Sequence, residues 1–337
     1  MLEQSFPSGS LDVQDSRTGA CRSITVREYQ SIASGTTLSK PDCATYVAPI
    51  SNAINLRRLA RADEPLLTRL PRFRLLSTLV SRLQTRQDKN PGQPTTAGRP
   101  IDVESSSLGF NLLGLPGAFS RAHVDCLLGT WARCLHGIKI WAITSTLEDA
   151  DWRRFTTQGA NWNPCGKGRI AVLEQDDVLL MPPGVRCIHA VFTPVPTLVE
   201  GGMLWDERNI PQLLDGLRWV AENQLCTNEA VPYQLPKVID ALEQWTTEQA
   251  GRLAPDGNGE AYLALVRDKI GKLRALGCVC TSDCSVAGGC PCKTGDRRCT
   301  SWCKKHPELP PPMGKNGRDK RGRKVRFACM AEHQPTG

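Results

Sequence analysis

Hydrophobic residues change their rhythm several times along this chain. Between Pro65 and Arg86, the residues Leu66, Leu70, Phe73, Leu76, Val80 and Leu83 recur at steps of three and four. That period predicts an amphipathic helix, interrupted near Pro71, where the chain lacks an amide hydrogen. Arg69, Arg72, Arg82 and Arg86 lie between the apolar positions. They fit a solvated helix face or contacts to nucleic acid. Residues 1–50 are polar with little periodicity, and loose structure is expected there. "QDKNPGQPTTAGRP" (87–100) is dense in turn formers and reads as a loop.

Beyond it, short apolar runs alternate with Gly and Pro up to about Trp205. "ARCLHGIKIWAIT" predicts two strands joined by a tight turn at His136-Gly137. "DVLLMPPGVRCIHAVF" repeats the form around a Pro-Pro-Gly turn. Many short strands of this kind suggest an all-β barrel or sandwich. From Asp206 to Leu276 the period becomes helical again. "IPQLLDGLRWVAEN", "LPKVIDALEQWTTEQ" and "AYLALVRDKIGKLRAL" are three helix candidates. The organisation expected is an N-terminal segment (1–100), a β core (101–206), a helical extension (207–276), a cysteine-rich module (277–306) and a basic tail (307–337).

Composition sharpens this picture at the C-terminal end. Of 15 cysteines, seven are scattered over the first 277 residues and eight crowd into the last 60. Cys-x-Cys pairs are too tight to favour mutual disulfides but suit thiolates shared on zinc, so a reducing, intracellular compartment is expected. The net charge is +8, and the stretch from Lys293 to Arg326 alone carries twelve basic and three acidic residues. The excess therefore belongs to an appended module and not to the core. No run of eighteen apolar residues occurs, and "MLEQSFPSGSLDVQDS" lacks the form of a signal peptide. No membrane association is expected.

The candidate chemistry starts at "HVD". His123 and Asp125 are one residue apart, a spacing that puts both on one side of a strand. A non-haem iron oxygenase needs two neutral imidazoles and a carboxylate on one face of the metal. His189, after the Pro-Pro-Gly turn, can supply the second imidazole from another strand. A lone His-x-Asp pair is a weak signal, and Trp131 and Trp141 nearby fit core packing better than a substrate cage.

The ensemble is more specific. "HVD", "GIKIWAI" (137–143), "DVLLMPPGVRCIHAVFTPV" (177–195) and Gly201-Gly202 together resemble the JmjC family of Fe(II)- and 2-oxoglutarate-dependent oxygenases, its fungal members especially. The resemblance covers residues 105–206. It implies a double-stranded β-helix (jelly-roll, cupin-like) core, mainly β, with flanking helices. It also implies iron on His123, Asp125 and His189, with Lys139 paired to the distal carboxylate of 2-oxoglutarate. Ser120 stands where many members carry a threonine that bonds the same carboxylate. The chain departs from the family after Gly201-Gly202, where "MLW" replaces an "HFY"-like run.

"CVCTSDCSVAGGCPCKTGDRRCTSWCKKH" offers Cys278, Cys280, Cys284, Cys290, Cys292, Cys299, Cys303 and His306 as zinc ligands. Seven thiols in 26 residues exceed one tetrahedral site. Either a multinuclear cluster with bridging thiolates or two mononuclear sites satisfies them. So short a segment would draw its folding energy from the metal. The pattern resembles CXC-type, tesmin-like or pre-SET-like modules, with Lys305 where a last cysteine would stand; Cys329 is a further candidate. The basic, Pro-rich stretch after it suits DNA phosphates or a nuclear-import signal. The sequence therefore suggests a nuclear oxygenase that hydroxylates or demethylates a protein substrate, histones among the candidates, with its tail on DNA or chromatin. The rival reading is a non-catalytic DNA-binding protein on a degenerate JmjC-like scaffold.

Overall fold

The computed structural model describes residues 10–14, 16, 21–35, 52–54, 56, 64–88, 108–164, 166–229, 231–232, 234–278, 292, 300 and 302–303. Eleven strands are present among them. They are β1 (Ser10–Gln14), β2 (Cys21–Thr25), β3 (Asn52–Ile54), β4 (Phe110–Gly114), β5 (Phe119–His123), β6 (Thr130–His136), β7 (Lys139–Thr144), β8 (Gly168–Leu173), β9 (Val178–Met181), β10 (His189–Phe192) and β11 (Thr197–Met203). Six α-helices accompany them: α1 (Val26–Gly35), α2 (Leu75–Asp88), α3 (Asp149–Gln158), α4 (Ile210–Glu222), α5 (Leu235–Leu253) and α6 (Gly259–Arg274).

The strands form two antiparallel sheets, ordered β2-β1-β3-β4-β11-β6-β9 and β5-β10-β7-β8. The pairings β7 with β8, β6 with β9, β5 with β10 and β4 with β11 are nested. One long antiparallel ribbon, with β7–β8 at its tip, is thus wound so that successive pairs fall on opposite sheets. That order is a double-stranded β-helix, a mainly β jelly roll of the cupin type. Its interior is lined by Ala132, Trp141, Val191 and Val199, residues that alternate inward along their strands.

The two predicted turn-joined strand pairs exist, but neither is a hairpin. β6 lies in the larger sheet and β7 in the smaller, and the same holds for β9 and β10. Both turns are corners at which the ribbon passes from one sheet to the other. The proline-interrupted helix is also found: Leu66–Arg69 and Pro71–Phe73 are short 3-10 turns, and α2 runs only from Leu75. The three C-terminal helix candidates are α4, α5 and α6. With α2 they share a core built on Leu76, Leu79, Leu213, Leu214, Val238, Leu242, Val266 and Ile270.

The expectation of loose structure over residues 1–50 is corrected where those residues are described. β1 and β2 extend the larger sheet through β3, and Leu11, Val13, Ile24, Val26 and Tyr29 close a core of their own against Ala53 and Leu115. α3 is a further element the periodicity did not reveal. A capping box between Glu148 and Asp151 starts it, and Phe155 is its fully buried anchor.

Candidate metal centre

His123 ends β5 and His189 begins β10, and the two are direct cross-strand partners. Their ring centroids lie 4.2 Å apart. Asp125 stands two residues beyond the end of β5 and not on the strand, as the spacing alone had suggested. The turn that holds it is fixed by Val124 N–H donating to the Cys226 carbonyl (2.8 Å) and Leu128 N–H donating to the Asp125 carbonyl (3.2 Å). Its Oδ1 is 3.9 Å from His123 Nε2 and 3.7 Å from His189 Nε2. One ligand atom from each of the three residues falls within 4.8 Å of the others.

The hydrogen bonds prepare these groups as donors to a cation. His123 Nδ1 is 2.6 Å from the Arg121 carbonyl, and His189 Nδ1 is 3.0 Å from the Cys187 carbonyl. A carbonyl oxygen only accepts, so each ring carries its proton on Nδ1 and turns a lone pair on Nε2 toward Asp125. Burial, then the neighbouring His189, lowers the His123 pKa to about 4, which keeps that imidazole neutral. Asp125 Oδ2 accepts a 2.6 Å bond from the Thr130 hydroxyl, leaving Oδ1 for the centre. Two neutral imidazoles and a carboxylate, converging without a hydrogen bond between them, fit a divalent transition metal. This His-Asp-His group can bind one.

The same cavity extends to Lys139, about 690 Å³ in all, counted out to its mouth. Lys139 is 3 % exposed and has no acidic partner among the described residues. Its ammonium donates to Thr193 Oγ1 (2.7 Å) and Asn52 Oδ1 (3.4 Å). Desolvation pulls its pKa down to about 8. Asn52 also donates to Ser120 Oγ (3.3 Å), so Lys139, Asn52, Ser120 and Thr193 form one polar end. Ser120 lies three residues before His123, yet both face the cavity, because the register of β5 against β10 shifts between them. Gly114 makes room there: a Cβ on it would sit 2.9 Å from Lys139 Nζ and 3.0 Å from Thr193.

Leu112, Val191, Val199, Met203 and Trp141 are among the apolar walls. Trp141 is therefore cavity wall, with its ring 5.1 Å from that of His189, whereas Trp131 packs in the core against Gly202. The sequence reading missed the lining residues Gln14, Asn52 and Glu229, and Thr193, which holds the Lys139 ammonium. Burial, followed by the charge of Asp125, pushes the Glu229 carboxyl up to about 7. No short motif marks these four; they are common polar residues from separate parts of the chain.

A second candidate metal group lies at the C-terminal end. Cys278, Cys292 and Cys303 bring their sulfurs within 4.8 Å of one another, with Cys292 and Cys303 3.6 Å apart. Burial raises the Cys303 thiol, but N–H groups of Cys278 and Thr300 and the Thr300 hydroxyl outweigh it, so its pKa is lowered. A stabilised thiolate beside two further thiols suits zinc. Cys280, Cys284, Cys290, Cys299, His306, Cys329 and the basic tail lie outside the described residues.

No protein-family model matches the chain. It is 50 % identical over 248 residues to KK-1 biosynthesis cluster protein D of Curvularia clavata, a match that takes in 74 % of this chain and 24 % of that protein. The chain thus spans about a quarter of the length of this relative. Among solved structures, an RmlC-like cupin from Shewanella frigidimarina is 14 % identical, covering 28 % of this chain and 63 % of that one, at a TM-score of 0.20. A cupin superfamily protein from Desulfitobacterium hafniense is 16 % identical, covering 29 % and 66 %, also at 0.20. The jelly roll is identified by its strand order, and the candidate metal centre by three donor atoms in a cavity that also holds a buried lysine.

Proposed function

We propose that this protein is a JmjC-type oxygenase that uses Fe(II) and 2-oxoglutarate, with His123, Asp125 and His189 as the iron ligands. The observation that carries the reading is the pairing of that donor set with a buried, uncompensated Lys139 in one cavity. Lys139, Ser120, Thr193 and Asn52 would hold the distal carboxylate of the oxo acid, where a charge-assisted bond is strong because water is excluded. Thr130 would keep the Asp125 carboxylate turned to the metal, and the two backbone carbonyls would keep both imidazoles in their metal-binding tautomer. The apolar walls would keep water from the reacting C–H bond. When bound, iron with the oxo acid and O2 would supply the oxidising power for hydroxylation, the oxo acid leaving as succinate and CO2.

Hydroxylation of an N-methyl group ends in loss of formaldehyde, so a demethylase and a hydroxylase share this chemistry. A protein substrate, histones included, is one class. The similarity to a biosynthesis cluster protein supports a second, a biosynthetic intermediate. The cysteine-rich module would bind zinc and, with the basic tail, would place the enzyme on DNA or chromatin in the nucleus. Anaerobic titration with Fe(II) and 2-oxoglutarate tests the catalytic reading. The expected result is the visible charge-transfer band of an iron–oxo acid chelate, absent in His123→Ala. A folded, iron-replete sample without that band removes it, and leaves the non-catalytic DNA-binding reading, tested by deleting residues from Gly277 onward.

A further inference from the structure

Both metal-directed histidines are oriented in the same way, each through a backbone carbonyl of its own chain segment. Each Nδ1–H is held by the carbonyl of the residue two positions earlier, Arg121 for His123 and Cys187 for His189. Cys187 itself packs on the barrel core, but the side chains of Arg121 and of Arg186, the residue before Cys187, leave the barrel and reach the region of α3 and the turn that follows it. Arg121 donates to Asn161 Oδ1 at 2.6 Å. Arg186, adjacent to Cys187, lies over the rings of Trp152 (4.5 Å) on α3 and Trp219 (5.0 Å) on α4.

The segment is stiff enough to act as a support. Trp152 meets Trp219 edge-on at 5.6 Å, Phe155 stacks with Trp219 at 6.3 Å, and Trp162 abuts Phe155 at 5.3 Å. Phe155 is fully buried, and the Asp151 carboxylate ties the first turn to Lys167 and Arg154. The chain it supports is held on its barrel side, where the Ile188 carbonyl accepts from the Thr144 N–H (3.0 Å) and hydroxyl (3.2 Å), and α3 closes on it from outside. Residues 185–188 belong to no strand, and the peptide that presents the Cys187 carbonyl is an irregular link between a turn and β10. Cation–π contacts with two tryptophans are the interactions that fix the Arg186 side chain.

We infer that α3 and its following turn are an outer buttress that sets the tautomers of both histidines, through Arg186 between Trp152 and Trp219 and through Arg121 on Asn161. Arg186 and Asn161 are then positioning residues: they touch no ligand atom, but they fix the carbonyls that decide which ring nitrogen faces the metal. The inference goes beyond the identity of the metal or the reaction, since tautomer is a property of the protein alone.

The test is made on the metal-free full chain. Long-range 1H–15N spectra of the histidine rings at pH 8 read the tautomer directly, with His123→Gln and His189→Gln giving the assignments. In the wild type both rings are expected as Nδ1–H. Arg186→Met, which keeps the side-chain volume, is expected to lower the Nδ1–H to Nε2–H ratio of His189 by about tenfold, the weight of one hydrogen bond, while His123 is unchanged. Asn161→Ala, at an exposed position, is expected to do the reverse. Arg186→Lys, which keeps the cation, is expected to restore much of the His189 ratio. Wild-type rings protonated on Nε2, or ratios unchanged in both folded variants, overturn the inference. If Arg186→Met does not fold, Asn161→Ala decides alone. A failed iron titration with normal ring spectra would instead count against the oxygenase reading and leave the buttress standing.

Discussion

Asp125 joins the two histidines into one group, and its own support is a single hydroxyl. Asp125→Ala is expected to lower affinity for Fe(II) or Mn(II) by at least about a hundredfold without unfolding the protein, and Thr130→Val by about tenfold, as supporting residues do. Metal titration followed by circular dichroism of the same samples checks both. Lys139 carries a different liability. It titrates near 8 in the fold against an ordinary 10.5. Between those values the unfolded chain keeps the proton and the folded chain does not, so stability rises with pH through that window. Below pH 8 the full penalty stands, about 3 kcal/mol at 1.36 kcal/mol per unit. A bound carboxylate would offset it, so carboxylate affinity should fall as pH climbs past 8. Lys139→Met is expected to raise the melting temperature at pH 7 and to remove 2-oxoglutarate binding, read by calorimetry. A variant that melted lower at pH 7 and higher at pH 10.5 would reverse the sign of this argument. His123, Asp125 and His189 could be put forward from residue type and spacing as a weak signal, whereas Lys139 and Ser120 were picked out only through the resemblance to the JmjC family. Asn52 and Thr193 were not legible, since nothing local distinguishes them; only folding brings them to the Lys139 ammonium.

At the scale of elements, the turn signals located β6, β7, β9 and β10 in the sequence, but not which strand lies beside which. Short turns made hairpins the natural reading. The nested ribbon instead places β6 between β11 and β9, and β10 between β5 and β7. His189 owes its position opposite His123 to that winding, not to any local signal. α3 stayed hidden because only Asp151 and Phe155 are buried along its ten residues, too few to set a period. The Gly201-Gly202 pair, by contrast, was visible and has a physical cause. A Cβ on Gly201 would stand 2.6 Å from the Phe110 ring and 2.7 Å from the Trp131 carbonyl, so β11 can lie between β4 and β6 only if that position is bare. Gly201→Ala is therefore expected to destabilise the fold by about 1–3 kcal/mol, as overpacking does. Urea unfolding with an unchanged slope and a lower midpoint would carry the point. An unchanged midpoint would mean that β11 yields without cost.

For the molecule as a whole, the question is whether the cysteine module hangs from the rest of the protein or belongs to it. The contacts favour belonging. α6 runs into Leu276 and Gly277, and Cys278 follows directly, its N–H donating to Cys303 Sγ at 3.4 Å. A Cβ on Gly277 would stand 2.2 Å from the Trp302 carbonyl, so the two chain segments touch backbone to backbone. Trp302 and Leu276 pack on the same helical core as α2, α4, α5 and α6, which in turn closes over the 122–128 segment that carries His123 and Asp125. Three buried sulfurs this close repel one another as thiolates unless a cation neutralises them. With zinc on these thiolates, as proposed above, its removal would loosen Trp302 and weaken the helical layer, not merely free a tail. Cys292→Ser removes one sulfur while leaving His123, Asp125 and His189 alone. It is expected to lower the melting temperature of the full chain by at least about 3 °C, the shift that roughly 1 kcal/mol gives in a domain of this size, with Asp125→Ala as a control for the other centre. Zinc content measured on the same preparations must fall with it. If zinc were lost and the melting temperature held, the module would be an independent appendage, and the contacts of Trp302 would carry no stability to the barrel.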